Sequence, residues 1–203
     1  MQLLYVMDPM CSWCWAFREP LAQLRQSQPE LDIRVLMGGL APDSEEPMPE
    51  ALRLKIQQIW HHIEAQTGAK FNHDFWRLNT PKRSTYPACR AVITADLMVG
   101  PDKSLEMVEA IQQAYYQRAL NPSNLEVLEQ LAGEIGLDIS LFTSLINGEQ
   151  VARALASQLA EVGQLGIGGF PALLLQQEQD WVPLALGFTR LDKLQQRLKD
   201  VTI

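Results

Sequence analysis

The sequence predicts an α/β protein: a mixed sheet interrupted by a large all-helical insertion. Three observations carry that reading. Residues 2–37 pass through strand, helix and strand. Roughly a hundred residues beyond Gly38-Gly39 then carry helical periodicity. Strand character finally returns as a hairpin, followed by a closing helix.

Gln2 to Met7 is a short apolar run suited to a buried strand, and Asp8-Pro9 breaks it. From Cys11 to Gln26 the apolar residues Cys14, Phe17, Leu21 and Leu24 recur at three- and four-residue spacing, the signature of a helix. Between Leu31 and Met37, the residues Leu31, Ile33, Val35 and Met37 alternate with Asp32, Arg34 and Leu36, which predicts a second strand. A strand–helix–strand unit of this kind sets its two strands parallel. Gly38-Gly39 and the stretch from Ala41 to Glu50, with Pro42, Pro47 and Pro49, read as loop.

Helical stripes follow. Leu52, Ile56, Ile59, Trp60 and Ile63 mark one; Leu105, Val108, Ile111 and Tyr115 another; Leu125, Leu128, Leu131 and Ile135 a third. A short turn is expected around Leu141, Phe142 and Leu145, before a last stripe of Val151, Leu155, Leu159 and Val162. All are read as core-facing helix faces. Ala172–Leu175 and Trp181–Leu186 flank the polar turn Gln176–Asp180 as a hairpin. Pro183 lacks an amide donor and places the second strand at a sheet edge. Leu191, Leu194, Leu198 and Val201 mark the closing helix. The expected division is residues 1–40 and 148–203 for the sheet-bearing domain and 41–147 for the helical insertion.

Composition narrows the function classes. A chain of 203 residues, 47% hydrophobic and 20% charged, buries a core without disulfide or metal staples. Seventeen Lys+Arg against 24 Asp+Glu give a net charge of −7, which argues against nucleic acid or an anionic membrane as partner. No run reaches the ~20 apolar residues of a membrane span. Met1 to Met7 meets Asp8 before any basic residue, the first being Arg18, so no export signal is read and a cytoplasmic location is expected. In that compartment structural thiols stay reduced, and three cysteines are too few for a disulfide scaffold.

Cys11-Ser12-Trp13-Cys14 stands where the first strand gives way to the first helix. Residues three apart on a helix share a face, so the two sulfurs can approach disulfide distance. A thiol at a helix N-terminus also faces unpaired N–H groups and the positive end of the dipole, which favour the thiolate. Cys11 is thus the expected nucleophile and Cys14, one turn in, the resolving thiol. Met10, Trp13, Trp15 and Phe17 suit either an apolar substrate surface or core packing. Asp8, the carboxylate nearest in sequence, is expected to cap the helix, with relay of the Cys14 proton as the alternative role. Cys89 reads as a free thiol, with Arg90 beside it as a source of positive charge.

The Cys pair after a first strand, together with Gly168-Gly169-Phe170-Pro171 leading into a late strand, resembles the thioredoxin superfamily. The helical insertion between the second and third strands resembles its DsbA-like branch, and within it the signal-less protein disulfide isomerase/FrnE-like members. The resemblance spans nearly the whole chain, and Tyr86-Pro87-Ala88-Cys89-Arg90-Ala91 is similar to a stretch of the insertion in these relatives. It implies a thioredoxin-like sheet and thiol–disulfide exchange on protein or peptide thiols and disulfides. Pro171 is then a cis-proline facing the Cys pair, with Ser12, Trp13 and Phe170 beside the substrate. No bound cofactor is implied, and glutathione or a thioredoxin system serves as recycling reductant. The exported oxidant of the family carries His between its cysteines. Here Ser12-Trp13 carries no charge, which implies a less oxidising disulfide than the DsbA value of about −120 mV. Phe170 is bulkier than the residues common before that proline, which implies a changed substrate preference.

Other readings stay open on the sequence alone. The two cysteines can be small buried hydrophobes. They can be half of a zinc site completed by Cys89, His61, His62 or His73, although adjacent His61 and His62 point different ways on a helix; no complete metal-ligand set is read. The related kappa glutathione transferases and hydroxychromene-carboxylate isomerases supply a glutathione-dependent alternative, and a non-catalytic redox-regulated chaperone supplies another.

Overall fold

The structure is a computed structural model that describes residues 2–202. Strand β1 (Gln2–Met7), helix α1 (Ser12–Ser27) and strand β2 (Asp32–Met37) open the chain. Helices α2 (Glu50–Thr67), α3 (Phe75–Leu78), α4 (Tyr86–Val99), α5 (Pro101–Tyr116), α6 (Leu125–Glu134) and α7 (Ile139–Ile146) follow. Helix α8 (Glu149–Gln164), strands β3 (Ala172–Gln177) and β4 (Asp180–Leu186), and helix α9 (Leu191–Thr202) complete it. The sheet runs β2-β1-β3-β4. β1 and β2 are parallel, as the strand–helix–strand pattern requires, whereas β3 pairs antiparallel with both β1 and β4.

β1 is apolar at nearly every position because both of its faces are covered. Leu3, Tyr5 and Met7 point into the main core with Phe17, Leu24, Val92 and Ile111. Leu4 and Val6 point the other way, against Leu36, Val162, Ala172 and Leu174. A third cluster surrounds the fully buried Trp60, whose ring meets Phe71, Phe75, Trp76, Tyr115 and Tyr116 at centroid distances of 4.9–5.9 Å. Trp15 stacks on Tyr116 at 5.3 Å and donates its indole N–H to the Lys70 carbonyl at 2.9 Å, which fastens α1 to the helical block.

The hairpin forms with β4 at the edge. Pro183 lies opposite Leu174 beside a register shift, where a missing amide donor does least harm. Two departures from the sequence reading have physical causes. α4 carries no stripe because Ala88, Cys89, Ala91, Val92, Ile93, Thr94 and Ala95 are all buried, so the helix is apolar around most of its circumference. The expected turn at residues 141–145 is instead the two-turn helix α7, started by Asp138, whose side chain accepts a hydrogen bond from the Leu141 amide at 2.9 Å.

Candidate active site

β1 delivers the chain to the core edge, Asp8-Pro9 turns it, and Cys11 becomes the N-cap residue of α1. The Cys11 amide donates to the Asp8 carbonyl at 3.0 Å, and the Trp15 amide to the Cys11 carbonyl at 3.0 Å, so the motif begins with the first turn. No side chain caps this helix end. The orphan N–H groups of the first turn are therefore left facing the Cys11 side of the helix mouth.

Cys11 is 6% exposed and Cys14 is fully enclosed; both are free thiols. Burial pushes the Cys14 thiol well above its ordinary pKa. Its hydrogen bond with Cys11 adds to this, and the Asp8 backbone N–H acts against it. Burial also pushes the Tyr5 phenol well up, followed by the charges of Cys14 and Cys11 nearby. The pair is thus asymmetric, with one thiol at the helix mouth and one held in its protonated form behind it.

The Phe170–Pro171 peptide bond is cis, and the Phe170 carbonyl lies 3.7 Å from Cys11 Sγ, 159 residues away in sequence. The Phe170 side chain turns aside. Its ring packs so closely on Gly38 that a Cβ there would come within 2.1 Å of it. The ring is therefore engaged in packing, and the backbone is what Phe170 presents to Cys11. On the opposite flank, Trp13 is half-buried between His62 and Phe188, each with ring centroids 6.0 Å from its own. Ser12 is half-buried in the same first turn.

Asp8 does not cap α1, contrary to the sequence expectation. It is fully buried and gathers four donors from three parts of the chain. Oδ1 accepts from the Met10 amide at 2.8 Å; Oδ2 accepts from the Leu40 amide at 2.7 Å, the Thr85 hydroxyl at 2.6 Å and the Cys89 thiol at 3.6 Å. Capping loses because Leu40 and the start of α4 enclose the carboxylate and supply its donors. Burial raises its pKa, against the lowering effect of those hydrogen bonds. Thr85, Leu40 and Gly38 were not found by sequence reasoning; only the Gly38-Gly39 pair left a trace, read as loop.

Cys89 sits against Asp8 in α4, fully buried, and its thiol is pushed well up by burial and then by the Asp8 charge. Arg90 is committed elsewhere, in a two-pronged ion pair with Asp43 at 2.8 and 2.9 Å. Cys89 therefore lies behind the pair, bonded to a carboxylate. Among the described residues neither Cys89 nor the Cys11–Cys14 pair joins a cluster of three metal-ligand side chains, so the zinc set in which Cys89 or a histidine completes the pair is not assembled.

A family model for the DSBA-like thioredoxin domain matches residues 2–199. The chain belongs to that family. Among solved structures, this DsbA-like chain is similar to a protein from Nitrosomonas europaea whose designation as a disulfide isomerase is provisional: 30% identity, TM-score 0.88, 99% of this chain and 97% of the other covered. It is also similar to the cytosolic disulfide reductase DsbM from Pseudomonas aeruginosa, at 25% identity and a TM-score of 0.80, with 100% and 98% covered; DsbM is also known with GSH. Among curated proteins, the ClpXP adapter protein SpxH of Halalkalibacterium halodurans is 21% identical over 86% of this chain. The chain spans 58% of that relative's length. The family and these neighbours support thiol–disulfide oxidoreductase or isomerase chemistry in general. No helix among the described residues is long and apolar enough to cross a membrane.

Proposed function

We propose that this DsbA-like protein is a thiol–disulfide oxidoreductase working by dithiol–disulfide exchange through Cys11 and Cys14. The observation that carries the reading is Cys11 at the mouth of α1, 3.7 Å from the carbonyl that precedes Pro171. An extended substrate chain lying along that backbone brings its disulfide to the sulfur. The Cys11 thiolate attacks one substrate sulfur, forms a mixed disulfide and expels the other as thiolate. Cys14 then loses its proton and attacks Cys11 Sγ, releasing the second substrate thiolate and closing the Cys11–Cys14 disulfide. Two electrons pass to the substrate, and the reverse sequence oxidises a dithiol. Because burial holds Cys14 protonated, the second step needs a base, and Asp8 is the carboxylate nearest in sequence and enclosed beside the motif.

Protein or peptide disulfides are the proposed substrates, with Trp13 and Ser12 on the substrate side. A cytoplasmic setting and glutathione or a thioredoxin-type dithiol as recycling reductant follow the same reading, supported by the likeness to DsbM. The helical insertion, residues 41–147 in this reading, supplies the wall against which Trp13 rests. A second thiol directly behind Cys11 favours exchange over single-thiol glutathione transfer.

Equilibration in glutathione buffers with thiol counting tests the proposal. A reversible two-electron transition between about −120 and −270 mV is expected. A pair that stays reduced at every poise overturns it.

A further inference from the structure

Away from the redox pair, ligand-type side chains converge at the C-terminal end of α2. Among the described residues, His61, Glu64 and His73 are the one group of three His, Cys, Asp or Glu whose donor atoms all lie within 4.8 Å of one another. His61 and Glu64 stand one turn apart on one face of α2. His73 comes back to that face after Gly68, whose φ of +79° ends the helix in a left-handed turn.

The three side chains are held in place. Glu64 Oε1 accepts from the Phe71 amide at 3.1 Å, which leaves Oε2 turned toward both imidazoles, 3.0 Å from His73 Nε2 and 3.4 Å from His61 Nδ1. The two rings stack at a centroid distance of 4.2 Å and an interplanar angle of 12°. The fully buried Trp60 meets His73 in an edge-type contact, with ring centroids 5.8 Å apart. His62 points away, to Trp13.

Two imidazole nitrogens and one carboxylate oxygen form the donor set of open zinc sites, and this set favours borderline divalent ions over the all-oxygen shells of Ca2+ and Mg2+. In a tetrahedral shell with bonds near 2.05 Å the donors stand about 3.4 Å apart. The His61–Glu64 and Glu64–His73 separations are already close to that; the two imidazoles, stacked nearly parallel, must turn out of the stack so that both in-plane lone pairs meet one ion. We propose that His61, Glu64 and His73 bind a divalent transition-metal ion of the Zn2+ type, with water in the remaining coordination. The ion ties α2 to the loop entering α3. Because the adjacent His62 lies on Trp13, it also braces one wall of the redox cleft.

The test is Zn2+ titration by calorimetry of the Cys11→Ser/Cys14→Ser variant, which removes the pair as a competing ligand, with Co2+ absorption to identify donors. One ion per chain is expected, with no thiolate charge-transfer band. His61→Ala and His73→Ala should each weaken binding at least ~10-fold, while His62→Ala leaves it unchanged. The His61 side chain is 66% exposed, so its replacement leaves the fold intact, which circular dichroism checks. Absence of saturable binding, or equal affinity in His61→Ala, overturns the proposal and identifies the cluster as a histidine–carboxylate ion pair only. A Co2+ spectrum carrying a thiolate band overturns it as well.

Discussion

Cys11 and Cys89 both touch Asp8, one through the backbone at the mouth of α1 and the other through its thiol inside α4. Their exposures differ only from 6% to 0%, yet their surroundings oppose each other. Cys11 has a helix N-terminus behind it and a backbone carbonyl in front. Cys89 has a buried carboxylate against its sulfur, which favours the neutral thiol. Sequence gave both residues an adjacent feature of promise, a helix start and an arginine. The helix start remains, whereas Arg90 is paired with Asp43 and its lowering effect on Cys89 is outweighed by burial and the Asp8 charge. The reactivity of a thiol is set by which charges its packing brings near, and proximity in sequence is a poor guide to that.

The sharpest break of this comparison is deletion of each sulfur. Cys11→Ser should reduce turnover of insulin or scrambled ribonuclease to the uncatalysed rate, whereas Cys89→Ser retains it. Equal losses in the two variants would erase the distinction. Alkylation sharpens it further: in the native protein Cys89 should react with iodoacetamide on the order of 10³-fold or more slower than Cys11, because reaction requires opening of the fold. Mass spectrometry of quenched samples reads this site by site.

Asp8 links the two thiols. Asp8→Asn should slow release of the mixed disulfide by about 10²-fold or more if the carboxylate takes the Cys14 proton, measured by rapid-quench trapping. The same variant addresses stability. With its native pKa above the ordinary value of 3.8, Asp8 binds its proton more tightly in the folded protein than in the unfolded chain. Its contribution to stability therefore falls as pH rises from about 3.8 through the raised native pKa. Asp8→Asn should remove that part of the pH dependence in urea unfolding.

Gly38→Ala tests the other flank. A methyl group 2.1 Å from the Phe170 ring must displace it, and a cost of about 1–3 kcal/mol is expected, together with slower exchange as the Phe170 carbonyl shifts. The smallest effect is expected far from the site. Arg118 holds Glu134 down to a pKa of about 2, so this pair stabilises above pH ~4.5 and the contribution is lost as pH falls toward 2. Both side chains are about 40% exposed, so Arg118→Ala should cost under ~1 kcal/mol at neutral pH and flatten that acid limb.

Much of this architecture was legible because it rests on short-range pattern. The β1–α1–β2 unit, the hairpin with Pro183 on its edge strand, and the amphipathic helices announce themselves through spacing. α4 does not, since a helix buried on most sides has no polar face to set its period. Within the site, Cys11 and Cys14 were legible from spacing and from the strand–helix junction. The surroundings of Asp8 were not: Leu40 and Thr85 reach it across 32 and 77 residues, and the Phe170–Gly38 contact is likewise made only by the folded chain. Long-range satisfaction of a buried carboxylate leaves no local signature, so a residue that reads as a helix cap becomes a tie between three segments.

Each margin of the sheet carries an interruption. At one, the Met37 amide is taken by the Gln158 side chain at 2.8 Å, and Arg34 is locked to Glu161. At the other, Pro183 interrupts the row of amides and a register shift twists the strand beside it. A passing chain, whether an unfolded client or a second copy, finds no unbroken ladder on which to template. For a protein proposed to act on polypeptide disulfides through its Cys11 cleft, these interruptions disfavour β-pairing of a bound chain along its own sides.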